Sequence, residues 1–247
     1  IAAVPLTVGG KGWMDRYLGV VESERLEIGK VLAEYDSTKD TLVAAHGHFG
    51  SNFKGYVLDA SGLNSRIATD YELNVDSMLR KFSPRYFINH ATDQNIRMAN
   101  KNGYDVKEAW HAINKYGYAT WVLYERNVAK ETKLIRLSSE QLIAGAQTNT
   151  TQDAHVFSGK EVSFDVSDVR DGRVLLAIEN PRGYEQTVHI QIGDWIAEKI
   201  LECNKPFVKG KSFIKIDEVV SFSEGPTISI KGDGIIVYDP LVSVSKR

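Results

Sequence analysis

The chain has 247 residues, a formal net charge of −2, and 43% hydrophobic, 25% charged and 10% aromatic residues. This size and composition sustain a full hydrophobic core and exclude disorder, collagen and small disulfide scaffolds. The balance of charge speaks against a broad nucleic-acid surface, and Cys203, the one cysteine, cannot form an intrachain disulfide. No stretch reaches the ~18 apolar residues that cross a bilayer. The apolar start Ile1-Ala2-Ala3-Val4 lacks a charged n-region. It reads as a mature N-terminus, or as a cut just after an apolar segment.

In chain order, Ile28, Val31, Leu32 and Tyr35 share one helical face, within a helix over about Ser23–Tyr35. Thr41–His46 is a short apolar run that suits a buried strand. Tyr56–Asp59 is a second strand. Val75, Met78, Leu79 and Phe82 have helical spacing, and Ser83-Pro84 stops that helix. Arg85–Asn89 follows as a strand. Val106, Ala109, Trp110 and Ile113 give a further helical stripe, and Ala119–Tyr124 closes the unit as a strand. Alternation of this kind predicts an α/β domain over residues 1–146, a mostly parallel sheet with flanking helices.

Ala144–Asp153 is small and polar, the texture of a linker. Residues 147–247 then read as short strands: Val162–Val166, Arg173–Glu179, Thr187–Ile192, Ile196–Leu201, Ser212–Ile216, Thr227–Ile230 and Ile235–Tyr238. Asp171-Gly172 and Asp233-Gly234 are hairpin-turn dipeptides. This spacing predicts a β-sandwich or jelly roll.

Motif tests find no catalytic set. Gly210-Lys211-Ser212 ends like a phosphate loop, but Lys205 stands where its first glycine belongs. No nucleophile elbow or dinucleotide fingerprint is present. His46 and His48, two apart, point to opposite sides of an extended chain, without a third ligand at metal spacing. Asp165, Asp168 and Asp171 lack a full calcium loop and suit turns. His90, Asp93 and Asn95 follow a strand, where α/β sheets bind ligands. Tyr184 and Trp195 lie near strand ends in the second part, where exposed aromatic rings stack on sugars.

Three runs carry a resemblance: Arg25–Leu32, Asp40–Ala45, and above all Tyr56-Val57-Leu58-Asp59-Ala60-Ser61-Gly62-Leu63-Asn64-Ser65-Arg66-Ile67-Ala68. With Ser83–Ile88 and the upstream Trp13–Tyr17, they span roughly Trp13 to Arg126. This segment resembles the soluble tail that follows the membrane helices of bacterial multi-pass glycosyltransferases of the GT-C type, the mannosyl- and arabinosyl-transferase-like proteins. The resemblance implies a tail on the extracytoplasmic face, beside the transmembrane part of the same parent chain. It implies a polyprenyl-phosphate sugar as the parent's donor and a catalytic acid in the absent membrane region. No catalytic residue, metal or cofactor is therefore assigned to this chain. Asp59, Gly62 and Leu63 match the motif. Gly62 suits a tight turn and Asp59 the amides of that turn. Asn64 and Arg66 are candidates to touch phosphate or sugar.

The alternatives are a secreted or periplasmic carbohydrate-binding protein, with the β-sandwich as its active part, and a non-catalytic envelope interaction module. All three expect a glycan, a lipid-linked sugar or a protein as partner, and none expects nucleic acid.

Overall fold

The computed structural model describes residues 28–35, 40–44, 53–60, 69, 74–114, 117–127, 132–151, 154–202, 213–223 and 226–245. Gly62, Leu63, Asn64, Arg66, His46, His48, Cys203 and Gly210–Ser212 lie outside the described residues.

The first sheet has five strands: β1 Thr41–Ala44, β2 Tyr56–Asp59, β3 Tyr86–His90, β4 Tyr104–Asn114 and β5 Gly117–Arg126, in the order β2-β1-β3-β5-β4. β1 runs parallel to β2 and β3, but β5 is antiparallel to β3 and β4. The sheet is thus mixed, and the expectation of a mostly parallel α/β layer is corrected. The cause is the stripe at Val106, Ala109 and Trp110, which is strand β4 and not helix. A register shift between Val106 and Glu108 inserts an extra residue. It turns Val106 and Ala109 to the same core while Trp110 joins the core on the other face. A bulged strand thereby imitates helical spacing.

The helical stripes at 28–35 and 75–82 are met. Residues 28–34 are helical, and Ile28 and Leu32 pack on Leu42, Tyr86 and Ile88. Helix α1, Val75–Phe82, is capped by Asn74, whose side chain accepts the Ser77 N–H at 2.9 Å. It ends on Ser83 in the left-handed conformation, before Pro84. Helix α2, Asp93–Asn102, begins on the cap Thr92 and ends on Gly103. Its apolar face is thin, Ile96 and Ala99, so periodicity does not mark it.

The second sheet contains β6 Thr132–Arg136, β7 Leu142–Thr151, β8 Ala154–Asp165, β9 Asp171–Glu179, β10 Gln186–Ile192, β11 Trp195–Leu201, β12 Phe213–Ser221 and β13 Thr227–Ser245. The expected linker is therefore largely strand β7, an edge strand paired with β8 through three register shifts. Its small polar residues reflect an irregular edge, not a free connection. β10 alternates buried and exposed residues throughout, as its sequence predicts. β12 and β9 bring Ile216, Val220, Leu176 and Ile178 against Val188, Ile190 and Ile192 of β10 and Val162 and Phe164 of β8. This is the packing of a β-sandwich.

β13 organises that sandwich. Residues 227–231 lie between β10 and β8. Past a bulge at 232–234, residues 236–238 lie between β9 and β8. Past Asp239-Pro240, residues 241–244 lie between β9 and β6. One 19-residue strand thus exchanges neighbours twice. The dipeptide Asp233-Gly234 is the bulge of this continuous strand, not the turn of a hairpin. Asp171-Gly172 likewise opens β9, where Gly172 pairs with Val244 and Val220.

The two sheets share a core. Leu134, Leu175 and Leu241 of the second pack with Phe87, Val106, Val122 and Tyr124 of the first. Tyr124 stacks on Phe87 at 4.2 Å between centroids. Its fully buried hydroxyl has no hydrogen-bond partner among the described residues, and burial pushes its pKa upward. Tyr124→Phe removes that unpaired group while keeping the ring. We expect it to leave stability unchanged or raise it by up to about 1 kcal/mol. A fall of the urea midpoint would show instead that the hydroxyl is satisfied in solution.

Candidate functional site

Polar side chains gather at both neighbour exchanges of β13. A strand that leaves one partner for another must satisfy the ladder groups it frees.

At the second exchange Asp239 is fully buried, with φ +40°. Its Oδ1 accepts the His155 N–H at 2.7 Å, Arg136 Nη2 at 2.6 Å and Arg136 Nε at 3.2 Å. Its Oδ2 accepts the Thr120 hydroxyl at 2.6 Å. One carboxylate therefore ties β8, β6 and the first sheet's β5 to β13. Arg136 then reaches outward, donating from Nη1 to Asp93 Oδ1 at 3.3 Å. The His155 ring lies over the same acid, its Nε2 3.9 Å from Asp93 Oδ2 and its Nδ1 3.0 Å from the Leu137 carbonyl oxygen.

This network absorbs the His90–Asp93–Asn95 candidate. Asn95 Nδ2 donates to the His90 carbonyl at 2.9 Å, and its backbone N–H donates to Thr92 Oγ1 at 3.2 Å. His90 packs its ring on Trp121 at 3.7 Å. Asn95 and His90 meet at the strand-to-helix turn, whereas Asp93 faces Arg136 and His155 at the junction of the sheets. Asp59 ends β2 opposite Ala44 and is buried. Asp165 accepts the Ser167 N–H at 2.9 Å, which is turn chemistry. Among the described residues no group of acidic, His or Cys side chains has a metal-binding arrangement.

At the first exchange, Asp233 N–H donates to Gln186 Oε1 at 2.6 Å, and Gln186 Nε2 donates to Asn180 Oδ1 at 2.7 Å. Asn180 is fully buried; its amide holds the carbonyls of Tyr184, Leu201 and Glu202. On this base stand three exposed groups. Arg182 donates from Nε to the Asp233 carbonyl at 2.8 Å. Its guanidinium lies against Gly234, where φ is +75° and a Cβ would meet Arg182 Nη2 at 2.5 Å. The Tyr184 hydroxyl donates to the Asp233 carboxylate. That hydrogen bond holds the Asp233 carboxyl below its ordinary pKa and raises the Tyr184 phenol above its own.

Tyr184 is 51% exposed. Trp195 is not its partner. It pairs with Ile192 at the other end of β10 and packs against the sandwich core. Seven residues of strand separate the two rings' positions by roughly 20 Å. The two aromatic candidates therefore divide, one exposed and one packed. Sequence reading missed Arg182, Arg136, Thr120 and Asp239. Asp233 was visible only as a turn residue, and the dipeptide Asp239-Pro240, which interrupts a strand, was the available signal for the second exchange.

No family model matches the chain, and no curated protein does. Among solved structures, a variant of a family 29 carbohydrate-binding module is 12% identical, with 45% of this chain and 85% of that chain covered and a TM-score of 0.28. Another variant of that module, complexed with cellulohexaose, is 13% identical, with 47% and 93% covered and a TM-score of 0.28. An insecticidal crystal protein of Bacillus thuringiensis is 6% identical, with 59% and 29% covered and a TM-score of 0.28. Likenesses at these scores carry no argument about fold or ligand. Among the described residues no helix is long and apolar enough to cross a membrane.

Proposed function

We propose that the chain is an extracytoplasmic glycan-binding module whose contact surface is the Tyr184–Arg182–Asp233 cluster. The observation that supports this reading is a half-exposed phenol held by a carboxylate on a buried Asn180–Gln186 base. A sugar ring offers an apolar C–H face and a rim of hydroxyls. A fixed aromatic ring receives the first at small entropic cost, because little freedom remains to be lost. The carboxylate accepts and the guanidinium donates, which matches the second.

Calorimetry of the intact chain against neutral pyranose oligosaccharides tests the reading. Tyr184→Ala is expected to weaken binding at least about tenfold, some 1.4 kcal/mol, whereas Trp195→Phe keeps it. Absence of binding across the panel, or equal binding by Tyr184→Ala, overturns the proposal.

The resemblance carried by Asp59 and its neighbours extends the reading. In it the module is an accessory part of a membrane glycosyltransferase that uses a polyprenyl-phosphate sugar, with its catalytic centre in the transmembrane part of the parent chain. The coding sequence upstream of Ile1 is the test. Several apolar helices of ~20 residues support this extension. A cleavable signal alone replaces it with a free periplasmic or secreted binding protein.

A further inference from the structure

At the edge of the first sheet where β1 and β3 begin lies a cleft of about 460 Å³, lined by Asp40, Thr41, Phe82, Ser83, Pro84, Arg85 and Arg126. Its charges do not cancel. Arg85 is engaged on both sides, donating from Nη1 to Asp40 Oδ2 at 2.8 Å and from Nη2 to Glu125 Oε1 at 3.1 Å. Glu125 in turn meets Lys107 at 3.1 Å. Arg126 is left over. Its Nη1 has a long contact to the Ser83 carbonyl, 3.4 Å, and no carboxylate pairs with it among the described residues. Most of its guanidinium fork remains available for an acceptor.

Thr41 and Ser83 line the same cleft, and no hydrogen bond from either hydroxyl is formed among the described residues. Ser83 also stands at φ +46°, where glycine or asparagine is the usual helix terminator. A serine there accepts backbone strain and contributes a donor that glycine lacks. Phe82 and Pro84 add an apolar wall.

We propose that this cleft binds the oxyanion of a small organic ligand, a phosphate or carboxylate group, with the Arg126 fork as its principal donor. The Ser83 and Thr41 hydroxyls complete the set, and Arg85, fixed by two acids, forms the rigid flank. A planar guanidinium and flanking hydroxyls match the lone pairs of such a group. The volume falls in the range of small-molecule sites. The inference is independent of the glycan reading, because it uses another sheet and other residues.

Titration of the isotopically labelled full chain with inorganic phosphate, and separately with acetate, tests it by NMR. Saturable shifts are expected at Phe82, Ser83, Arg85 and the Arg126 side-chain N–H, with one of the two anions favoured; which one identifies the group. Arg126→Gln should weaken the favoured anion at least about tenfold and Arg126→Lys by less, because the charge remains while the fork is lost. Ser83→Gly should weaken it about threefold while raising the urea midpoint, since the strained position is relieved as the donor disappears. Shifts that stay linear with both anions, or spread over surface lysines, overturn the proposal. So does saturation unaltered in Arg126→Gln.

Discussion

Asp239→Ala is expected to destabilise the protein by about 3–5 kcal/mol, since breaking a buried ion pair leaves the other charge uncompensated. Here the stranded charge is Arg136, whose side chain is 2% exposed. Its remaining carboxylate, Asp93, is 54% exposed and meets only the outer nitrogen. The same substitution deprives the His155 N–H and the Thr120 hydroxyl of their acceptor. Asp239→Asn separates the causes. It keeps an oxygen acceptor and tolerates the left-handed backbone, so its loss of about 1–3 kcal/mol reports the charge. Adding Arg136→Met to Asp239→Ala should recover part of the loss, because no buried charge then remains. Urea midpoints of the three variants are the measurement. An Asp239→Ala protein within about 1 kcal/mol of the parent would contradict the role assigned to this carboxylate.

Leu241→Ala is the second large effect. Leu241 is fully buried and belongs to β13, yet it packs in the core of the first sheet. Its truncation leaves a cavity that costs about 2–5 kcal/mol. More telling than the size is the location of the loss. Arg173 donates from Nη1 to the Val106 and Lys107 carbonyls at the β4 bulge while its other nitrogens grip Asp217. Asn100 of α2 exchanges two 2.8 Å hydrogen bonds with the backbone of Leu134. Ser243 donates to Asp105 at 2.6 Å. Joined in this way, the sheets should lose stability together. Amide exchange at Val43 in the first sheet and Ile190 in the second should accelerate by the same factor in Leu241→Ala. Acceleration confined to Ile190 would mean that the sheets open separately.

Much of this architecture was legible in the residues. β2, β9, β10 and β11 fall within two residues of their expected runs, and α1 follows from its spacing and from Ser83-Pro84. What escaped has definite causes. The β4 bulge reproduces a helical interval with strand residues. β7 reads as linker because an irregular edge strand needs little apolar surface. α2 buries only Ile96 and Ala99, too few to show a period. Asp233-Gly234 carries the chemistry of a tight turn, and β13 uses that chemistry to change partners without reversing. For the candidate sites the limit was distance along the chain. Tyr184 and Asp233 are 49 residues apart, and Thr120 and Asp239 are 119 apart. No local pattern encodes either meeting. Arg126 carries no local signal in the sequence; among the described residues, the pairing of Arg85 with Asp40 and Glu125 leaves it the surplus charge of its cleft.

The double exchange of β13 also sets an order of events during synthesis. β6, β8, β9 and β10 all pair with residues 227–245, which follow all four of them in the chain. Until then four strands wait with unpaired edges, across up to about a hundred residues of already-made chain. Long-range closure of this kind is slow and leaves edges exposed to other chains. The four pairings are therefore expected to close only once residues 227–245 have been made. Loss of residues 227–245 would remove the common partner of four strands, β6, β8, β9 and β10.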